Sequence, residues 1–305
     1  MSNGQLRELT NEVEIVGTLK SLECEHFTSK SLDEYLKVTA VIMCKEDNKI
    51  HEHTVKAFAK KGSKPYKSLE TVATQYRAED NPLLEGEPDR VRVIGKLKFN
   101  EYYNQNKSKI VEFNEIQGSF FNRLKKDDVS SDTAIAIIGT VIDNYVEEII
   151  NQVPTGNYLV NCFTIGYNND YIQLCNVVIS KELASEFLNF YEPGKTGVLT
   201  YKINNYVELE KSNSIQSNHG FGSKEKINNV VKKYVNNLEI IGGDLPLMPP
   251  EEYTAEEIKD AKKIHELKLQ SFNTAATSML KGFKHNNKNN DFYPEPDEFD
   301  EDLPF

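Results

Sequence analysis

Val13-Glu-Ile-Val-Gly-Thr-Leu19 decides the fold of this chain, because it is written twice: Ile135-Ala-Ile-Ile-Gly-Thr-Val141 repeats it. Both stretches run β-branched residues into a Gly-Thr pair. That pattern suits a strand whose glycine marks a bulge or a close backbone approach. Two weaker echoes follow in the same order. Val93-Ile-Gly-Lys-Leu-Lys-Phe-Asn100 pairs with Val198-Leu-Thr-Tyr-Lys-Ile-Asn-Asn205, and Glu115-Ile-Gln-Gly118 with Glu239-Ile-Ile-Gly242. Three landmarks in one order imply two copies of a single all-β module.

Each copy has further strands between its landmarks. Tyr35–Met43 and His51–Phe58 form a hairpin across Lys45–Lys49, and Tyr158–Ile165 and Tyr171–Val178 flank the turn Tyr167–Asp170. A helix-like stretch comes next, Ser68–Tyr76 in the first copy and Lys181–Phe190 in the second. Five strands with a helix between the third and fourth is the order of the OB-fold, a Greek-key barrel that binds oligonucleotides across strands 2 and 3. The expected class is therefore all-β with added helices. The expected segments are an N-terminal arm (1–10), a first OB-fold (11–126), a second (127–248), a C-terminal helix (249–282) and a flexible tether with an acidic tip (283–305).

Composition narrows the function. No run of eighteen apolar residues occurs and Met1-Ser-Asn-Gly-Gln is polar, so neither a membrane span nor a signal peptide is expected. Four widely spaced cysteines without a Cys-x-x-Cys pair fit a reducing cytoplasm, bacterial or infected-host. The net charge of −11 is unevenly distributed. Residues 1–131 carry as many bases as acids, whereas Asp291–Phe305 carries acids alone. A phosphate-binding surface is expected in the first copy, because local rather than mean charge acts on a phosphate backbone.

The chain ends Glu298-Phe-Asp-Glu-Asp-Leu-Pro-Phe305. So acidic a segment is expected to be disordered, yet its terminal apolar residue suits insertion into a partner's pocket beside Lys or Arg. This tip resembles that of bacterial and phage single-stranded-DNA-binding proteins. The Gly-containing first strand, the basic fourth strand and the module order resemble the same family over residues 10–248. The resemblance implies a non-enzymatic protein that binds single-stranded DNA in replication, recombination and repair; the alternatives are a recombination mediator or annealing factor, or a protein-interaction adaptor built on OB-folds. It also implies that Asp300, Glu301, Asp302, Leu303, Pro304 and Phe305 recruit replication and recombination proteins. Familiar bacterial members carry one module per chain, form tetramers and commonly stack bases on tryptophan. This chain has two modules and no tryptophan. The resemblance is thus to a divergent tandem form of phage type, with homo-oligomerisation left open.

Binding single strands without sequence preference needs cations along the phosphates and flat side chains for the bases. The stretch Lys56-Ala-Phe-Ala-Lys-Lys-Gly-Ser-Lys-Pro-Tyr-Lys67 supplies Lys56, Lys60, Lys61, Lys64 and Lys67 with Phe58 and Tyr66 interleaved. In the fourth strand Arg90, Arg92, Lys96 and Lys98 fall on even positions and apolar residues on odd ones, so a period of two gives a cationic face and a core face. Tyr102, Tyr103, Lys107 and Lys109 follow, where the barrel's 4–5 loop is expected. These fifteen residues are the DNA-binding candidates.

The second copy is poorer in cations, with Lys202 and Lys195 near its fourth strand. Its Tyr158, Phe163, Tyr171 and Tyr201 are either stacking platforms or barrel filling, and Phe221 lies in a long polar connection. Thr254-Ala-Glu-Glu257 reads as a capping box opening an amphipathic helix to about Gly282.

No catalytic constellation is evident, and no cofactor is expected. Glu192-Pro-Gly-Lys-Thr196 evokes a phosphate loop, but Asn189 stands where that motif needs its first glycine, so a turn is expected. Cys24-Glu-His26 and His51-Glu-His53 each place two metal-ligand types on one strand face, at spacings unlike those of structural zinc sites. No metal is expected there.

Overall fold

The computed structural model describes residues 6–29, 31–81, 86–104, 109–212 and 229–282. The chain divides into two units, Met1–His265 and Glu266–Phe305. No helix among the described residues is long and apolar enough to cross a membrane.

The first copy folds as β1 (Asn11–Thr28), β2 (Glu34–Glu46), β3 (Lys49–Lys60), α1 (Lys64–Gln75), β4 (Arg90–Asn104) and β5 (Lys109–Arg123). The strand β1 pairs antiparallel with β2 and β4, β2 with β3, and β4 with β5. The ring closes where β3 runs parallel to β5, at Val55–Ile116 and Lys56–Gln117. The second copy repeats this as β6 (Thr133–Ile150), β7 (Val153–Ile165), β8 (Tyr171–Ile179), α2 (Lys181–Phe190), β9 (Thr196–Ser212) and β10 (Asn229–Gly243). It closes through parallel pairing of β8 with β10 from Val177–Leu238 to Ile179–Ile240. Two rings with the circular order 1-2-3-5-4 are two OB-folds.

Period-two alternation builds both interiors. Leu36, Val38, Ala40, Ile42 and Cys44 of β2 point inward against Val55, Ala57 and Ala59 of β3 and Val91, Val93 and Leu97 of β4. Leu69 and Val72 of α1 join this core. The helix α1 starts a turn before the expected Ser68, because Pro65 lies in its first turn, where a missing N–H costs nothing. A two-residue turn, Asp47-Asn48, joins β2 to β3 with both residues at positive φ, and its twist matches the strands. Gly17 lies so close to β2 that a Cβ there would meet the Met43 carbonyl oxygen at 2.5 Å and Cys44 Sγ at 2.9 Å. This is the close approach that the repeated Gly-Thr pair signalled.

The barrels are joined within the first unit. The first half of β1 pairs with β6 from Asn11–Ile138 to Val16–Thr133. The segment between the barrels is pinned by Asp132, which accepts from the Arg90 guanidinium at 2.7 Å and the Lys45 N–H at 3.0 Å. At the β2–β3 turn, Lys49 donates to the Tyr206 hydroxyl at 2.7 Å and pairs with Glu208 at 2.9 Å, while Lys202 pairs with Glu46 at 3.1 Å and Asp47 at 2.5 Å. The helix α3 (Ala255–Gly282) opens with the expected capping box: Glu257 Oε2 accepts from Thr254 N–H at 2.8 Å, and Glu257 N–H donates to Thr254 Oγ1 at 3.3 Å.

Candidate nucleic-acid interface

The outer face of β1–β2–β3 in the first barrel is a mosaic of rings and ammonium groups. Register places Phe27 opposite Tyr35, and Tyr35 opposite Lys60. The next outward row is Glu25, Lys37 and Phe58, and the one after it is Glu23, Thr39 and Lys56. The Phe27 and Tyr35 rings stack at 5.3 Å with 13° between planes. Barrel closure extends the surface sideways. Lys56 pairs with Gln117, which pairs with Lys96, and Lys98 stands opposite Glu115 on the same face. The even positions of β4 do face outward, as the alternation required.

Four of the ammonium groups are held by carboxylates. Lys37 pairs with Glu25 at 3.3 Å and Lys60 with Asp33 at 3.2 Å. Lys56 pairs with Glu115, and Lys61 with Glu34, whose hydrogen bond raises the Lys61 pKa. The face is therefore charge-ordered rather than uniformly positive.

Lys56, Phe58, Lys60, Lys96 and Lys98 are thus brought onto one continuous surface, with Lys61 at its edge. Lys64 and Lys67 are exposed on α1, and Tyr66 leans against the main core rather than standing free. Arg90 and Arg92 face outward at the start of β4, where they are engaged elsewhere: Arg90 clasps Asp132 and the Ser130 carbonyl, and Arg92 reaches the Ser130 hydroxyl at 3.2 Å. Their place is at the barrel junction. Tyr102 is 44% exposed and meets Phe113 edge-on at 6.2 Å. Lys109 is exposed, Lys107 lies outside the described residues, and Tyr103 belongs to β4 with its side chain outside the description. The tip residues Asp300–Phe305 also lie outside.

Sequence reasoning missed Phe27, Tyr35 and Lys37. The landmark Val13–Leu19 was followed only to its end, whereas β1 continues to Thr28. Counting by twos through Glu23, Glu25 and Phe27 would have found the ring.

On the second barrel the outer face is covered at its β7–β8-turn end, whereas Ile149, Ile150 and Val153 beside the β6–β7 turn are exposed. Phe163, Ile165 and Tyr171 on the outside of β7–β8 form a separate apolar cluster with Leu6 and Leu9 of the N-terminal arm and with Tyr253, Ile258 and Ala261 at the start of α3. Leu6 N–H donates to Asn169 Oδ1 at 2.6 Å, Leu9 N–H to the Ile165 carbonyl at 2.8 Å, and Lys262 pairs with Asp143. Tyr201 is buried inside the barrel, its hydroxyl 2.8 Å from that of Thr140, and burial raises its pKa well above the usual phenol value. It is barrel filling. Phe221 lies outside the described residues.

The two metal-ligand pairs do not converge. Cys24 and His26 are exposed on β1, while His51 and His53 are buried on β3, His51 at the junction with β9, where its Nδ1 accepts from Asn205 N–H at 3.4 Å. Among the described residues no three His, Cys, Asp or Glu side chains gather around one point. Glu192–Thr196 leads into strand β9 rather than into the helix a phosphate loop requires, and Lys195 pairs with Glu252 at 2.9 Å.

These features define a tandem OB-fold protein whose second barrel has part of its outer face covered by the N-terminal arm and α3. The YorF family model matches residues 10–275, and the chain belongs to the YorF family. No curated protein matches it. Among solved structures, the wild-type single-stranded DNA binding protein from Thermus aquaticus is similar over 82% of this chain and 99% of its own, at 13% identity and a TM-score of 0.49. A deletion mutant of that protein is similar over 81% and 100%, at 14% identity and a TM-score of 0.46. A Plasmodium falciparum SSB in complex with ssDNA covers 40% of this chain and 100% of its own, at 14% identity and a TM-score of 0.26. These are distant likenesses, and the OB-fold rests on the strand pairing above.

Proposed function

We propose that this protein binds and protects single-stranded DNA without catalysing a reaction. In this reading it is a divergent phage-type member of the single-stranded-DNA-binding class, acting in the cytoplasm during replication, recombination and repair. The acidic tip recruits partner proteins. One observation carries the proposal: the strand 2–3 side of an OB barrel bears Phe27, Tyr35 and Phe58 among Lys37, Lys56 and Lys60. Rings accept bases of any sequence, and ammonium groups follow the phosphates.

The test is a fluorescence titration with labelled poly-dT at several salt concentrations. Tight binding to the single strand, weak binding to duplex and a fall in affinity with salt are expected. Replacing Lys60, Lys61, Lys96 and Lys98 together by Ala should flatten the log–log salt slope by about 0.7 for each phosphate that is no longer neutralised. An unchanged slope removes this surface from the proposal. No binding at all favours a protein-interaction adaptor, a reading to which the carboxylate-paired lysines also lend themselves.

A further inference from the structure

The covered face of the second barrel contains an arrangement that the sequence alone does not show. Phe163 and Tyr171 stack at 4.8 Å with 25° between planes, on the outer side of the strands equivalent to β2 and β3. On Tyr171 lies the imidazole of His265, 4.5 Å away and 16° from parallel. A flat heteroaromatic ring thus already occupies the tyrosine as a base would. Beside it opens a cavity of about 390 Å³, lined by polar groups including Asn161, Gln173, Asn176, Asp143 and His265 itself. That volume lies within the range of small-ligand sites. Gln173 is held in place, its Nε2 donating to the Cys162 carbonyl at 3.0 Å and its Oε1 accepting from the Tyr171 hydroxyl at 2.7 Å, and Asn161 Nδ2 donates to Asn144 Oδ1 at 2.6 Å.

We propose that Phe163 and Tyr171 form a second base-stacking platform, and that His265 is an internal stand-in for the nucleobase of a single strand. The inference rests on the single-stranded-DNA reading of the first barrel, from which the strand would continue. The ligand is one nucleotide of that strand, its base replacing the imidazole on Tyr171 and its edge facing the polar lining of the cavity. The carboxylates of Glu112 and Asp143, the latter paired with Lys262, line this end and suit it to a base rather than to a phosphate. Tyr253, Ile258 and Ala261 hold the start of α3 on the face, so displacing the His265 ring gives up its stack on Tyr171 and its edge contact with Phe99 at 5.7 Å but not the cover.

The chain contains no tryptophan, so Tyr171→Trp installs a single reporter on the platform itself. In the full chain carrying Tyr171→Trp and His265→Ala, a labelled dT oligonucleotide should raise anisotropy and quench the tryptophan together. With His265 retained, quenching should be smaller. His265→Ala alone, with the native tyrosine, should tighten binding to a long dT oligonucleotide roughly fivefold or more, the gain expected of one stacked base. It should leave binding to an oligonucleotide that fills only the first barrel unchanged. A rise in anisotropy with unaltered tryptophan emission overturns the platform while leaving the first-barrel reading intact. Equal affinities of His265→Ala and wild type for the long oligonucleotide overturn it as well. Absence of any anisotropy change removes both.

Discussion

Lys56 of β3 and Glu115 of β5 form an ion pair across the parallel closure of the first barrel, with Lys98 opposite Glu115 on its other side. One carboxylate thus sits between two cations of the candidate DNA face. A phosphate approaching Lys56 competes with Glu115 for the same ammonium group.

Glu115→Gln should therefore tighten poly-dT binding and steepen its salt dependence. A partly exposed ion pair contributes about 0–1 kcal/mol, which sets the gain at no more than about fivefold. Weaker binding by this variant, measured by the same titration, would mean that Glu115 orients Lys56 for the DNA instead of competing with it.

Phe58→Ala probes the rings rather than the charges. Removing one stacked base costs about 1–3 kcal/mol, and no counterion is involved. Affinity should fall with the salt slope unchanged. A changed slope would place Phe58 in support of Lys56 and Lys60 rather than under a base.

The barrel interior makes a pH prediction. His51 and His53 are buried, and among the described residues no protein group bonds their Nε2 atoms. Burial lowers the pKa of both, that of His53 to about 4, with the neighbouring His51 adding to the shift. The neutral imidazole is the folded form, whereas the unfolded chain takes up a proton near its ordinary value. Stability is thus complete above about pH 6.5 and declines as pH falls towards about 4, by on the order of 3 kcal/mol from His53. Urea unfolding across this window should show the decline, and His53→Leu should flatten it. An equal slope in both proteins would assign the decline to His51 or to carboxylates.

Gly17→Ala tests the packing behind the repeated motif. The added methyl would meet the Met43 carbonyl, a backbone atom that cannot rotate away, so β1 and β2 must part. A cost of about 1–3 kcal/mol in urea unfolding is expected. Wild-type stability would show that the bulge between Leu19 and Ser21 absorbs the strain.

Much of the fold was legible because it depends on local periodicities. The alternation through Arg90–Phe99 marked an inward and an outward side, Thr254 and Glu257 marked a helix start, and the repeated Gly-Thr pair marked a strand crowded against its neighbour. Helix α1 begins at Lys64, a turn before the expected Ser68, because Pro65 suits its first turn. The end of β1 was missed because its acidic second half looks unlike a core strand.

Sequence by itself determined that there are two OB modules and that only the first is rich in outward cations, since both follow from residue type at a period of two. Which rings share a row with those cations is a matter of register and barrel closure. The same holds for the carboxylates that hold them and for the cover that the N-terminal arm and α3 lay on the second barrel. Those contacts join residues far apart along the chain, and no local pattern encodes them. Tyr171 and Tyr201 are both tyrosines on strands, yet one lies beneath a histidine outside the barrel and the other fills its interior. Packing alone separates them.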